Sequence, residues 1–434
     1  MQTVKFYTLG CKVNQYDTQS IRERFIQAGF KELENSKPAD VCIINTCTVT
    51  HKADAGSLNV IRKAKRENPK AKIIITGCLT ELDEGKIRKQ VDKSLIIKNK
   101  DKENILEYLF LQDGITGKRN NGTTDSGISY FKAHTRAFLK IQDGCNNSCS
   151  YCKVPYVRGP ARSRPPDEII PEAGRLLKNG FKELVLCGIC LGSYGKDLSG
   201  KTTLVNVIEA LQNLPGLFRI RLSSIEAQDI SDELLEKMTQ SKKLCRHLHI
   251  PMQSGDDEIL KKMNRNYSCL DYLNLIKKIR SRIPQIAITT DVLAGFPTET
   301  EANFQNTVQL IKGILPLKVH IFPYSRRAGT QAAAKFEQNV DPKVIKERSG
   351  YLQKVAFACS LSYKKQFLNK SLLVLVEGKS KLRPGFWEGY TDNYLKVLFE
   401  SNRKLKNIFV LVKLKEITNN YLLADLAGED FRLT

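Results

Sequence analysis

Three cysteines, Cys145, Cys149 and Cys152, stand in the stretch Gly144-Cys145-Asn146-Asn147-Ser148-Cys149-Ser150-Tyr151-Cys152. Their spacing is C-x3-C-x2-C, directly after an apolar, strand-like run, Ala137-Phe138-Leu139-Lys140-Ile141. Sulfurs this close in sequence constrain the chain to wrap one centre. The next cysteine, Cys187, lies too far along to complete a local set of four. A cubane iron–sulfur cluster on three thiolates keeps one iron without a protein ligand. An open metal position is where chemistry takes place, as the contrast between catalytic and structural zinc sites illustrates. The spacing therefore points to a redox-active 4Fe-4S cluster that binds a small molecule at its free iron. A zinc site borrowing a distant ligand, or chance clustering, stays open at this point.

What precedes this motif is a regular alternation. Val4-Lys5-Phe6-Tyr7-Thr8-Leu9 leads to Gly10-Cys11, Asp40–Thr46 leads to Cys47, and Lys72–Gly77 leads to Cys78. Each apolar run is followed by a segment of helical character, at Asp17–Ala28, Ala53–Glu67 and Glu81–Gln90. Strand–helix alternation predicts a parallel sheet. Ligands of such sheets gather at the carboxyl ends of the strands. Cys11, Cys47 and Cys78 all fall just past such an end, with small neighbours at Gly10, Thr46 and Gly77. They are candidate ligands of a second three-thiolate cluster. Three unrelated buried cysteines are the alternative, which is the reading given to Cys42 inside its strand.

A polar, Gly-containing stretch follows and reads as a linker, residues 118–130. It divides an N-terminal α/β domain, 1–117, from a second α/β region, 131–368. The second region opens with the strand before the cysteine motif and has further strands near 183–187, 218–222, 246–250, 286–291 and 317–322. Helical periods lie between them. Six strands with crossover helices predict a partial or complete parallel (β/α) barrel, whose site lies at the carboxyl ends of its strands. Ile345–Leu368 reads as one long Lys-rich helix. Residues 369–434 then carry five short strands separated by turns, which predicts a small antiparallel β-barrel. Its Lys379, Lys381, Arg383, Phe386, Trp387, Tyr390, Tyr394 and Lys396 suit stacking and phosphate contacts on RNA. Alternation along the strands sends about half of those aromatics inward.

Charge adds a partner class. Lys and Arg number 69 against 46 Asp and Glu, a net charge of +23. A surplus of that size favours a polyanionic partner, nucleic acid first and a membrane surface second. No apolar run approaches the ~18 residues of a membrane-spanning helix. The N-terminus lacks the apolar core of a secretion signal. The expectation is a cytoplasmic protein whose cysteines are metal ligands or buried thiols.

The cysteine motif, with Tyr151 between its last two cysteines, resembles the radical SAM superfamily. Leu186–Gly195, Arg221–Glu226, His249–Gly255, Met263-Asn264-Arg265 and Gly295–Thr300 agree with that resemblance. It implies that S-adenosylmethionine (SAM) chelates the open iron and is cleaved to a 5′-deoxyadenosyl radical, with Gly188, Ser224, Glu226 and Gln253 as candidate SAM contacts. Across essentially the whole chain the sequence is similar to the methylthiotransferases, through Thr8–Asp17, Asn45-Thr46-Cys47, Thr76-Gly77-Cys78 and the terminal barrel, which looks like a TRAM module. That family carries an auxiliary 4Fe-4S cluster, here implied on Cys11, Cys47 and Cys78. Leu9–Gln15 and Leu139–Cys145 resemble the branch that methylthiolates N6-threonylcarbamoyladenosine beside the tRNA anticodon. The implied partners are the anticodon stem-loop of tRNA and an electron donor such as flavodoxin or ferredoxin. The branches acting on isopentenyladenosine in tRNA and on a ribosomal-protein aspartate are the competing readings. A passive RNA-binding protein is a remoter one.

Two positions depart from the family pattern: Lys153, where an apolar residue is usual, and Cys190, where Asn or His is common. Cys190 forms a Cys187-x2-Cys190 pair that reads as structural rather than metal-binding. Gly195–Thr202 also fits G-x4-G-K-T, a phosphate-binding loop of a nucleotide hydrolase. The strand that should run straight into its first glycine ends near Cys187–Gly188, which argues against it.

Overall fold

The structure, a computed structural model, describes residues 1–34, 37–112, 127–132, 134–200 and 202–428. The first unit is a parallel sheet of β1 (Thr3–Thr8), β2 (Lys31–Glu32), β3 (Val41–Thr46), β4 (Lys72–Gly77) and β5 (Leu95–Ile96), in the order β2-β1-β3-β4-β5. Alternate side chains of β3 feed two cores. Cys42 and Ile44 pack with Ile61, Ala64 and Leu79 on one face, and Val41 and Ile43 pack with Phe25, Phe30 and Ile105 on the other. Helices therefore cover both faces, as a parallel sheet requires. The two-residue strands β2 and β5 are too short to show a period in the sequence.

The second unit contains β6 (Ala137–Lys140), β7 (Gln142–Asp143), β8 (Arg162–Ser163), β9 (Glu183–Cys187), β10 (Arg219–Leu222), β11 (His247–His249), β12 (Ala287–Ala294) and β13 (Lys318–Pro323). Six of these form two parallel three-stranded sheets, β10-β9-β6 and β11-β12-β13. Single parallel bridges, Ile220 to Leu244 and Ser224 to His249, join them across the β10–β11 seam. The result is a partial barrel. Leu248, Ile288, Val319 and Ile321 pack outward among the helices, so the alternate residues His249, Thr289, Asp291 and His320 face the lumen.

The helix Pro342–Lys365 leads into β14 (Ser371–Lys379), β15 (Phe386–Thr391), β16 (Lys396–Glu400), β17 (Phe409–Ile417) and β18 (Leu422–Gly428). These close in the order β14-β15-β16-β18-β17. The expected antiparallel barrel needs one correction: β16 and β18 pair in parallel, Val397 against Leu422. β17 runs between them in sequence and pairs antiparallel to β18, so closure onto β16 leaves only the parallel direction. The barrel is docked on the second unit. Arg219 and Arg221 bind Glu183 at 2.5 and 2.7 Å and donate to the carbonyls of Tyr390, Thr391 and Asp392.

Docking also corrects the expected stacking role of the aromatics. Phe386 and Trp387 are buried, with Trp387 in the barrel core. Tyr394 stacks on His247 with centroids at 4.7 Å, Tyr390 stacks on Tyr394, and Arg221 lies 4.6 Å over Tyr394. Tyr390 and Tyr394 keep part of their surface on a cavity of about 440 Å³ shared with Lys318, Lys364 and Lys396. Lys379, Lys381 and Arg383 remain exposed and suit phosphate.

Of the segment read as a linker, residues 118–126 lie outside the described residues. Residues 127–130 are pinned: the backbone N–H of Ile128 donates to Glu172 at 3.0 Å, and those of Ser129 and Tyr130 donate to Glu23. The phosphate-loop reading also fails. Between β9 and the helix Leu204–Gln212 lie a 3-10 turn, Leu191–Ser193, and further turns, and Thr203 caps the helix. A Cβ on Gly195 would come within 1.8 Å of the Thr202 carbonyl, so the loop closes on itself rather than opening a cradle. Lys201 lies outside the described residues.

Candidate active site

Cys145, Cys149 and Cys152 lie on the loop between β7 and the short helix Val154–Arg158. Gly144 starts the loop at φ +73, and a Cβ there would fall 1.9 Å from the Pro160 carbonyl oxygen. Only glycine fits that approach. The Cys145 N–H donates to Gly159 O at 3.1 Å, which closes the loop. Met263-Asn264-Arg265 buttresses it: Ser150 N–H donates to Met263 O, and the Asn264 amide donates to Ser148 O at 2.9 Å. The three sulfurs line one cavity of about 360 Å³, with Asn147, Tyr156 and Gln331 among its other walls.

This donor set fits a three-thiolate cluster. Backbone N–H groups of Asn147 and Val154 donate to the sulfurs of Cys145 and Cys152, each at 3.4 Å, and Arg265 donates to Cys149 at 3.3 Å. Such donors stabilise thiolates, not neutral thiols. Burial pushes the Cys152 thiol up to about 11. A bound metal would offset that cost, since thiolate ligation releases the proton.

Cys11, Cys47 and Cys78 follow β1, β3 and β4 as expected. Cys11 caps the helix Lys12–Gln27, and Cys78 opens a 3-10 turn after Gly77 at φ +95. Ser57 locks Cys47 by accepting from its N–H at 3.1 Å and donating to its carbonyl at 2.8 Å. Gly10, at φ +102, lies so close that a Cβ would meet Cys47 Sγ at 2.9 Å. Asn14 ties the strand ends together, donating to Leu9 O and Thr46 O at 2.8 and 2.9 Å. Burial pushes Cys78 up to about 11, and the neighbouring charges of Cys11 and Cys47 push the same way. Cys11, Cys47 and Cys78 thus stand at the carboxyl ends of neighbouring strands, a donor set compatible with a second three-thiolate cluster.

Several functional side chains had no sequence signal. Arg158 ends the helix after the cysteine loop and is fully buried. It donates to Asp143 at 2.7 Å and to Asn14, and its charge favours the thiolate of Cys78. Lys140 binds Asp17 at 2.5 Å, and Lys102 binds Asp17 too. This buried network joins the two units directly behind both cysteine groups. Its members come from four distant segments, so no local spacing announced them.

Among the candidate SAM contacts, Gly188 sits against Gln142, whose amide donates to the Gly144 carbonyl at the start of the cysteine loop. Glu226 is held by Arg265, the residue that also reaches Cys149. Ser224 bridges to His249, and Gln253, at φ +64, accepts from Leu293 N–H and donates its own N–H to Asp291 O at 2.8 Å. Glu226 is thus already paired, and Arg265 is the missed member of that corner. Lys153 is half-buried, near Arg327 and Asp54. Cys187 and Cys190 do not form one site: Cys187 Sγ meets the Val185 carbonyl at 3.2 Å, whereas Cys190 Sγ accepts from the Asn147 amide at 3.7 Å.

Three family models match this chain: the uncharacterized protein family UPF0004 over residues 3–98, the radical SAM superfamily over 139–311, and the TRAM domain over 365–427. The chain is 39% identical to the threonylcarbamoyladenosine tRNA methylthiotransferase MtaB of Bacillus subtilis, over 95% of this chain and 94% of that one. It is 37% identical to the protein of the same name from Chlamydia pneumoniae, over 98% of each chain. It is 36% identical to the tRNA-2-methylthio-N(6)-dimethylallyladenosine synthase of Acetivibrio thermocellus, over 94% of this chain and 88% of that one. Among solved structures, the radical SAM methyltransferase TsrM of Kitasatospora setae shares the fold at a TM-score of 0.57 and 12% identity, covering 77% of this chain and 75% of that one.

Proposed function

Because the chain belongs to the radical SAM methylthiotransferase family, a family of transferases that use SAM and two 4Fe-4S clusters, we propose that it converts N6-threonylcarbamoyladenosine beside the tRNA anticodon to its 2-methylthio derivative. The observation that carries the reading is the pairing of two three-cysteine groups on one chain whose relatives of that name align end to end. Cys145, Cys149 and Cys152 would hold the cluster that binds SAM, and Cys11, Cys47 and Cys78 the auxiliary cluster. When bound, these groups supply the electron, the hydrogen-abstracting radical and the sulfur that the reaction needs.

The chain's own residues position and shield. Gly188 leaves room beside the cysteine loop, and Ser224, Glu226 and Gln253 line the approach to SAM, with Arg265 fixing Glu226. Arg158 keeps both cysteine groups anchored to one buried ion network and offsets thiolate charge at the auxiliary site. Tyr394 and His247 stack where the terminal barrel meets the second unit, which fixes the two against each other. The basic face of the terminal barrel grips the anticodon stem-loop through phosphates. A small reduced carrier such as flavodoxin or ferredoxin delivers electrons, in the cytoplasm. Among the described residues no helix is long and apolar enough to cross a membrane.

The test is direct. Cluster-loaded protein is incubated anaerobically with SAM, reductant and a synthetic anticodon stem-loop, and the nucleosides are read by mass spectrometry. A methylthio product from the threonylcarbamoyl substrate supports the proposal. Product only from a dimethylallyl substrate moves the chain to the other tRNA branch, and product from neither removes tRNA as the substrate.

A further inference from the structure

His249, Asp291 and His320 come from three adjacent strands, β11, β12 and β13, and one ligand atom from each lies within 4.8 Å of the others. All three face the lumen. They are neither core side chains nor surface ones, since each is half-buried. His249 is held on both sides: Nε2 lies 3.2 Å from Asp291 Oδ2, and Nδ1 shares a hydrogen bond with Thr289 Oγ1 at 2.9 Å. Thr289 is in turn tied to His247 at 3.0 Å. A fixed chain of four side chains thus orients one carboxylate. Asp291 Oδ1 and both ring nitrogens of His320 have no hydrogen-bond partner among the described residues. The His249 and His320 rings lie 5.7 Å apart, so the free groups share one small space.

The location is as telling as the geometry. Ser224 bridges to His249, and Gln253 bonds the Asp291 carbonyl, so the group borders the candidate SAM contacts. Burial lowers His320 and His247, and the charge of Lys12, next to Cys11, acts on both in the same sense behind larger causes. Lys318, on the same face of β13, acts on His320 in the same sense. His320 is pushed down to about 4 and is neutral at pH 7, which leaves one ring nitrogen to donate and one to accept. The lumen here offers an anionic acceptor, a neutral donor–acceptor and a cation.

We propose that Asp291 and His320, aligned by His249, read the N6 substituent of the target adenosine and select a ureido group bearing a carboxylate. A urea presents two N–H donors and one carbonyl acceptor, which complement Asp291 Oδ1 and a His320 N–H. Lys318, two residues from His320 on the same face of β13, supplies a cation for the carboxylate. A dimethylallyl group has no polar atom to offer, and it would leave Asp291 desolvated without a partner. Sites built on such buried polar groups reject the analogue lacking them strongly, by up to ~10⁴-fold. The inference rests on the proposal that the substrate is an N6-modified adenosine.

The experiment compares the full cluster-loaded chain with His320→Phe, His320→Gln and Asp291→Asn on stem-loops carrying threonylcarbamoyl- or dimethylallyl-adenosine. Iron content and substrate-free SAM cleavage are measured alongside. The expected result is that His320→Phe and Asp291→Asn lower kcat/KM for the threonylcarbamoyl substrate by about a hundredfold, mainly through KM. His320→Gln, which keeps a donor and an acceptor, retains most of it, and SAM cleavage and iron are unchanged throughout. An unchanged preference between the two substrates in all variants overturns the inference, as does loss of iron or SAM cleavage in step with activity. If the wild-type chain itself turns over neither substrate, the functional reading has failed instead.

Discussion

At Gly10 a single hydrogen stands where any side chain would strike Cys47, with a Cβ 2.8 Å from Cys47 Cβ and a φ of +102. Gly10→Ala therefore displaces one auxiliary cysteine and leaves the Cys145 loop untouched. The expected outcome is protein that folds, retains roughly half its iron and still cleaves SAM, as read by iron analysis and 5′-deoxyadenosine release. The cysteines themselves were legible from sequence. Three had a diagnostic spacing, and three stood just past recognisable strands. Arg158, Arg265 and Asp291 were not, because their roles depend on partners contributed by distant segments. Tyr390 and Tyr394 show what composition leaves out: Tyr394 stacks on His247 and Arg136 lies over both rings, so part of each is taken up at the junction with the second unit.

Elements reveal how the units are joined. Glu183 on β9 is fully buried between Arg219 and Arg221 of β10, with Arg136 nearby, and those arginines also hold the backbone of the terminal barrel. Despite burial, which opposes it, these guanidinium charges hold the Glu183 carboxyl far below its ordinary value of 4.5. A lowered carboxylate contributes stability that is complete above its unfolded value and is lost as pH falls below it. Glu183→Gln should destabilise the fold by about 3–5 kcal/mol at neutral pH, since it leaves two buried guanidinium groups without their anion. It should also flatten the decline in thermal stability expected of the wild-type chain as pH falls below 4.5. Calorimetry across pH checks both. Long elements with clear periods were legible in the sequence, while β2, β5, β7 and β8 were too short to carry one. The parallel β16–β18 pairing escaped because a strand's direction in a closed barrel is set by closure, not by its own residues.

The whole molecule combines a net charge of +23 with a terminal barrel whose exposed side chains include Lys379, Lys381 and Arg383. Binding of an anticodon stem-loop that rests on phosphate contacts should weaken by roughly 10³-fold between 50 and 200 mM salt. A filter-binding or fluorescence titration that found affinity independent of salt would remove the barrel's proposed grip. Domain order was legible because each unit has its own pattern: strand–helix alternation, a cysteine loop after a strand, then short strands alone. What joins the units was not, because the Arg158–Asp17–Asp143 network and the Glu183 cluster exist only once the chain has folded. The central claim is that two cysteine groups divide the labour, one generating the radical and one supplying sulfur. The most direct test replaces Cys11, Cys47 and Cys78 together by Ala and assays SAM cleavage and methylthiolation side by side. The expected result is that 5′-deoxyadenosine still forms while the methylthio product disappears; loss of SAM cleavage in a folded protein that retains the Cys145 cluster, or persistence of the product, would overturn this division of labour.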